Sequence, residues 1–211
     1  MRDFPVFTTE YGVASLVLKE IPYQQTAYII IRDTQDPEPL LQECISFCRV
    51  CGAEKIYATG HEYLEDKPLF TAIWEMRISA QTLPETDAAL WPVQEDTLDQ
   101  WQELYNKKVV KVPNGAWMTR KDAQDMLTKG EGYFIHRGET LLGIGKLTGG
   151  NIDWVASCQA GAGRDVVAAL ARGAMTEDVT LTVASANEKA VALYEALGFL
   201  KTREISRWYR V

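Results

Sequence analysis

Apolar positions recur along this chain with two different periods, and the places where the period changes mark out its elements. Residues 13–21 and 26–32, the latter built on Tyr28-Ile29-Ile30-Ile31, predict strands joined by a turn at Pro22. Leu40, Leu41, Cys44, Phe47, Cys48 and Cys51 then repeat at helical spacing. That helix opens at Pro37 or Pro39, since proline is tolerated in a first turn, and Gly52 ends it. Short strands follow at 55–59 and 71–78. This β-β-α-β-β order implies a sheet with a helical crossover, too small to be an enzyme by itself. Residues 79–92 are polar, contain Pro84 and show no sustained period, so the boundary between an N-terminal unit (1–80) and a C-terminal one (91–211) is placed there.

Beyond the boundary, 97–107 predicts a helix capped by Thr97, with Leu98, Trp101, Leu104 and Tyr105 turned inward. A second helix spans 120–129, between Thr119 as cap and Gly130 as stop. Strands are expected at 133–136 and 141–147 around a turn at Gly138, and at 152–158 after Gly149-Gly150. Gly163 introduces a helix on which Val166, Val167, Leu170 and Ala171 share a face. A strand at 179–184, a helix at 188–197 and two strand-like segments at 199–203 and 205–209 complete the order α-α-β-β-β-α-β-α-β-β. Strand, crossover helix and strand argue for local parallel pairing within a mixed α/β sheet.

Composition narrows the function classes. A hydrophobic share of 46% and a charged share of 24% are those of an ordinary globular protein. No apolar run is long enough to cross a bilayer, and Met1-Arg2-Asp3-Phe4-Pro5 lacks the start of a signal peptide, so a cytoplasmic protein is expected, with no membrane partner. The formal charge of −7 disfavours a nucleic-acid partner and is compatible with a cationic amine, although solubility accounts for it equally well.

Cys44, Cys48 and Cys51 are spaced so that three thiolates could hold an iron–sulfur cluster. The same residues lie on the apolar stripe of one regular helix, where free cysteine behaves as a small hydrophobe, and this core role is preferred. The chain carries no Ser-His-Asp set, lysine-bearing nucleotide loop or His/Cys metal pair, and no metal is expected.

The most specific signal is the run 186–199. Asn187, Ala190, Leu193-Tyr194 and Gly198-Phe199 stand at fixed offsets directly after the strand Thr180-Leu181-Thr182-Val183. Capping by Asn187 and a stop at Gly198 explain the helix. The whole set resembles the last helix of the GNAT superfamily of acyl-CoA N-acyltransferases, and the upstream element order extends the resemblance over residues 91–211. The resemblance implies a GNAT-like fold with an additional N-terminal β-β-α-β-β subdomain, itself similar to an eroded partial copy of the same fold. It also implies an acetyl-CoA-dependent N-acetyltransferase that acts on a small-molecule or peptide amine, as a monomer or homodimer. A catalytically inactive acyl-CoA-binding or regulatory protein is the rival reading.

Under the resemblance, the strand at 152–158 splays from that at 179–184, and the pantetheine arm of the cofactor enters the gap. Backbone groups of Val155, Ala156 and Ser157 would bond it. The diphosphate would rest on the turn Gly161-Ala162-Gly163 at a helix N-terminus, with Arg164 as an added cation and Asn187 on the cofactor side. Tyr194 stands where the family places a general acid toward the thiolate, and as an amphipathic tyrosine it also suits the core. Asp153 is nearest to the family's carboxylate base, and at a strand start it suits a solvated charge equally well. Trp154 fits either the acceptor side or the core. The chain departs from the family in its phosphate loop, which is shorter by about two residues and has Cys158 where an Arg or Gln is usual.

Overall fold

The computed structural model describes residues 5–211. Residues 1–4, which form most of the N-terminal stretch on which the expectation of no signal peptide rests, lie outside the described residues. In chain order the elements are β1 (Val6–Thr9), β2 (Gly12–Val17), a one-turn helix α1 (Ile21–Gln24), β3 (Thr26–Thr34), α2 (Pro37–Val50), β4 (Lys55–Thr59), β5 (Leu69–Ser79) and β6 (Ala89–Pro92). Next come α3 (Leu98–Val109), α4 (Arg120–Lys129), β7 (Gly132–Arg137), β8 (Thr140–Thr148), β9 (Asn151–Ser157), α5 (Gly163–Gly173), β10 (Asp178–Ala184), α6 (Glu188–Leu197) and β11 (Leu200–Arg210). None of the described helices is long and apolar enough to cross a membrane.

The chain divides into two compact units: Met1–Ile73 with Ile205–Val211, and Trp74–Glu204. The first therefore takes a strand segment from a distant part of the chain, whereas the second is one unbroken stretch. In the first unit, β1 and β2 form a hairpin, β2 pairs antiparallel with β3, and β3 pairs parallel with β4 over five residues from Thr26↔Lys55 to Ile30↔Thr59. The end of β11 adds to β4 through Tyr209↔Ala58 and Arg210↔Tyr57. Helix α2 makes the crossover and buries Leu40, Leu41, Cys44 and Cys48 against Leu16, Ile29 and Ile56. Cys44 and Cys48 are wholly buried, whereas Cys51 is exposed beyond the helix end.

In the second unit the strand order is β6-β7-β8-β9-β10, continued by residues 74–79 of β5 and 200–204 of β11. Helices α3 and α4 cover one sheet face, where Trp101, Tyr105 and Met126 pack on Phe134 and Ile144. Helix α5 covers the other, with Val166 and Ala169 on Ile135 and Leu142. Met76 and Ile78 of β5 are buried in the same cluster as Leu181, Tyr194, Leu197 and Phe199.

Three sequence expectations need correction. The strand expected at 13–21 ends at Val17, because Pro22 sits in the first turn of α1 and lacks the N–H that a ladder requires. The supposed boundary 79–92 contains β6, an edge strand whose four residues are too few to establish an alternating pattern. The two terminal segments form one continuous strand, β11, since nothing between them breaks the extended backbone.

Candidate active site

Strands β9 and β10 run parallel, yet they pair only at Asn151↔Thr180 and Ile152↔Leu181. The cause lies one residue on. The register of β9 on β8 shifts so that Trp154 faces Lys146 while Ile152 faces Leu147, leaving Asp153 as the extra residue of a bulge. A bulge bends and twists the strand that bears it, so β9 leaves β10 where Asp153 begins. Between them opens a cavity of about 110 Å³ walled by Val155, Leu181, Val183 and Ala190, with Tyr194 and Asn187 reaching into it from α6. At about 30 Å³ per water molecule it holds roughly four, the scale of a thioester head rather than a whole cofactor.

Backbone polarity along β9 follows from ladder geometry. The Cys158 N–H donates to the Leu142 carbonyl at 2.7 Å, and Ala156 stands opposite Ile144. Alternation in an antiparallel ladder then turns the backbone groups of Ala156 toward β8 and those of Val155 and Ser157 toward the side that β10 has left. Val155 and Ser157 thus offer backbone groups to the gap. Ala156 does not, because its N–H and C=O belong to the ladder. The Ser157 carbonyl is already engaged, accepting from Lys108 Nζ at 2.9 Å.

Tyr194 is 8% exposed and its ring lies 5.7 Å from that of Phe199. Burial pushes its phenol up to about 12, so it keeps its proton throughout the neutral range. Asn187 caps α6 by accepting from the Ala190 N–H at 3.4 Å, and Gly198 closes the helix. Asp153 lines the gap but is heavily engaged. Lys146 Nζ (2.6 Å), Thr148 Oγ1 (2.7 Å) and Asn151 Nδ2 (2.6 Å) all donate to its carboxylate. Burial raises its pKa, but these hydrogen bonds and the Lys146 charge outweigh that and hold it below the ordinary aspartate value. An aspartate so satisfied is a weak proton acceptor. Its hydrogen bonds from Lys146 and Thr148 tie the bulge to β8.

The turn from β9 to α5 places Gly161 at φ +80°, a left-handed conformation with open space where a side chain would stand. Ala162 is buried at the N-cap position, and Gly163 begins α5 close to α6, where an added Cβ would lie 3.0 Å from Leu193. The first turn of α5 leaves backbone N–H groups without intrahelical acceptors. Arg164 is exposed and forms no ion pair among the described residues. Asp165 shares that turn, but Thr86 Oγ1 (3.1 Å) donates to its carboxylate and Arg137 (2.9 Å) pairs with it. These groups suit a diphosphate, and the splayed strands suit the arm that precedes it. Trp154 packs 4.4 Å from the Tyr105 ring and also lines the gap, so core and cleft share it.

Three features escaped the sequence reading: Lys108 on the Ser157 carbonyl, the Lys146–Asp153 pair, and Val112 at the gap. The first and last depend on how α3 and the segment after it return to the sheet, which no spacing encodes. Asp153 and Lys146 belong to neighbouring antiparallel strands, so their pairing was accessible in principle, but only the bulge brings the two side chains together.

No family model matches the chain, and no curated protein matches it. Solved structures do. A functionally unknown conserved protein from Staphylococcus epidermidis superposes with a TM-score of 0.60 at 13% identity, covering 99% of this chain and 93% of that one. A GCN5-related N-acetyltransferase from Kribbella flavida gives 0.58 at 12% identity, over 99% and 90%. A tandem GNAT protein from the clavulanic acid biosynthesis pathway gives 0.52 at 14% identity, over 95% and 79%. Together with the β9–β10 splay and the Asn187–Tyr194 helix beside it, these likenesses establish that the chain has the fold of the GCN5-related N-acetyltransferases.

Proposed function

We propose that the chain transfers an acetyl group from acetyl-CoA directly to a primary amine of a small molecule or peptide. The observation that carries this reading is the gap between β9 and β10, which has free backbone groups on one wall and the Tyr194 side chain in its lining. In this reading the Val155 N–H polarises the thioester carbonyl, a task that needs a donor fixed in advance in a site shielded from water. Attack by the neutral amine forms the N–C bond and breaks the C–S bond. The departing thiolate takes the phenolic proton of Tyr194, and the proton shed by the amine returns to Tyr194 through water. No metal takes part in this scheme.

One observation favours the rival reading, an acyl-CoA-binding protein without turnover. Asp153 is the only carboxylate among the described residues lining the gap, and three donors already satisfy it. Calorimetry with acetyl-CoA, combined with thiol release over a panel of small amines, amino acids and peptides, separates the two. Saturable binding with amine-dependent release supports the transferase. Binding without release on any amine supports the rival, and absence of binding defeats both.

A further inference from the structure

We propose that Lys108, on α3, supplies a second cation for the cofactor's diphosphate, in addition to Arg164 at the start of α5. The inference rests on the proposed acyl-CoA site and adds to it a residue far from the turn in sequence. Cys158 opens the β9–α5 connection with a thiol whose pKa burial raises, and it cannot itself neutralise a phosphate. Lys108 Nζ lies 2.9 Å from the carbonyl of Ser157, the residue just before it. The ammonium is close enough to Cys158 to oppose the rise that burial imposes on that thiol.

Its charge is uncompensated. Lys108 is half-buried and forms no ion pair with any described carboxylate, unlike Lys146, which pairs with both Glu131 and Asp153. An ammonium carries three N–H donors, and the Ser157 carbonyl takes one. Two remain beside a turn whose open Gly161 and free helix N–H groups already favour an anion. A half-buried cation with two unused donors can take up an anion without giving up its bond to Ser157. Arg164, the cation expected from the sequence, sits on the first turn of α5 itself. Lys108 instead approaches from α3, so the two would hold the diphosphate from different elements.

The test is calorimetric titration of CoA into the full chain and into Lys108→Ala, Lys108→Gln and Lys108→Arg, with a thermal melt of each to confirm folding. Loss of one charge-assisted contact predicts binding weaker by about tenfold to a hundredfold in Lys108→Ala. Lys108→Gln keeps a donor for Ser157 but no charge, and should be as weak as the alanine variant, while Lys108→Arg restores most of the affinity. Wild-type affinity in Lys108→Gln would overturn the proposal, because the hydrogen bond to Ser157 would then be what counts. Unchanged affinity in Lys108→Ala would overturn it as well. A wild-type chain that binds no CoA at all would remove the site reading beneath it, a result distinct from either.

Discussion

Tyr194 combines two properties that rarely coincide in a core tyrosine: it packs against Phe199 with 8% exposure, and it borders an open gap rather than a polar partner. Replacing it with phenylalanine should therefore change chemistry more than folding. Thiol release is expected to fall by about 10²- to 10⁴-fold, the usual contribution of a positioned acid, with CoA affinity little changed. The phenol also leaves a mark on stability. Its folded value near 12 exceeds the ordinary tyrosine value near 10, so the folded state holds the proton more tightly. The stabilisation is complete below pH 10 and is lost as pH rises from 10 to 12, by roughly 2–3 kcal/mol. Denaturant melts of wild type and Tyr194→Phe across that window should show the extra decline in the wild type alone.

At the scale of elements, the bulge in β9 decides whether there is a site. The first unit supplies the comparison: β3, α2 and β4 repeat the strand-helix-strand order of β9, α5 and β10, but β3 and β4 stay paired over five residues and no gap opens. Asp153 holds the bulge through Lys146, Thr148 and Asn151. Asp153→Asn should loosen it, weakening acetyl-CoA binding several-fold while leaving the pH profile of turnover without a lost limb. Abolished turnover with unchanged cofactor affinity would instead restore Asp153 as the base. Because its folded pKa is depressed, Asp153 stabilises the protein above its unfolded value near 3.9, and that contribution disappears as pH falls through the folded value. The aspartate's share of acid destabilisation should be absent from the asparagine variant.

These elements were legible to different degrees. Helix α6 could be read from Asn187, Tyr194 and Gly198 because caps and stops are local chemistry, and α2 because its stripe is regular. The bulge could not, since a shift of register belongs to two strands at once. The division of work between Val155 and Ala156 depends on the same register, which explains why all three neighbouring residues looked equivalent in the sequence.

For the whole molecule, the division into units departs from sequence order. Met76 and Ile78, 1% and 3% exposed, lie in the second unit's core with Tyr194 and Leu197. A chain lacking residues 1–80 would lose both, and large side chains removed from a core cost about 2–5 kcal/mol each. Such a truncation should aggregate or melt far below the full chain. A soluble remnant with full activity would show that β5 is dispensable.

Tyr209, on the closing strand, brings the opposite debt: it packs with Leu16 and Ile29, laid down near the start of synthesis. The first unit therefore cannot finish folding until the ribosome has delivered residues 205–211, long after its own helix α2 has emerged. Contacts of such wide sequence separation slow folding, and they tie the two halves to one schedule. A nascent chain stalled at residue 200 would expose an unfinished β4 edge, ready for a chaperone or for a second unfinished chain.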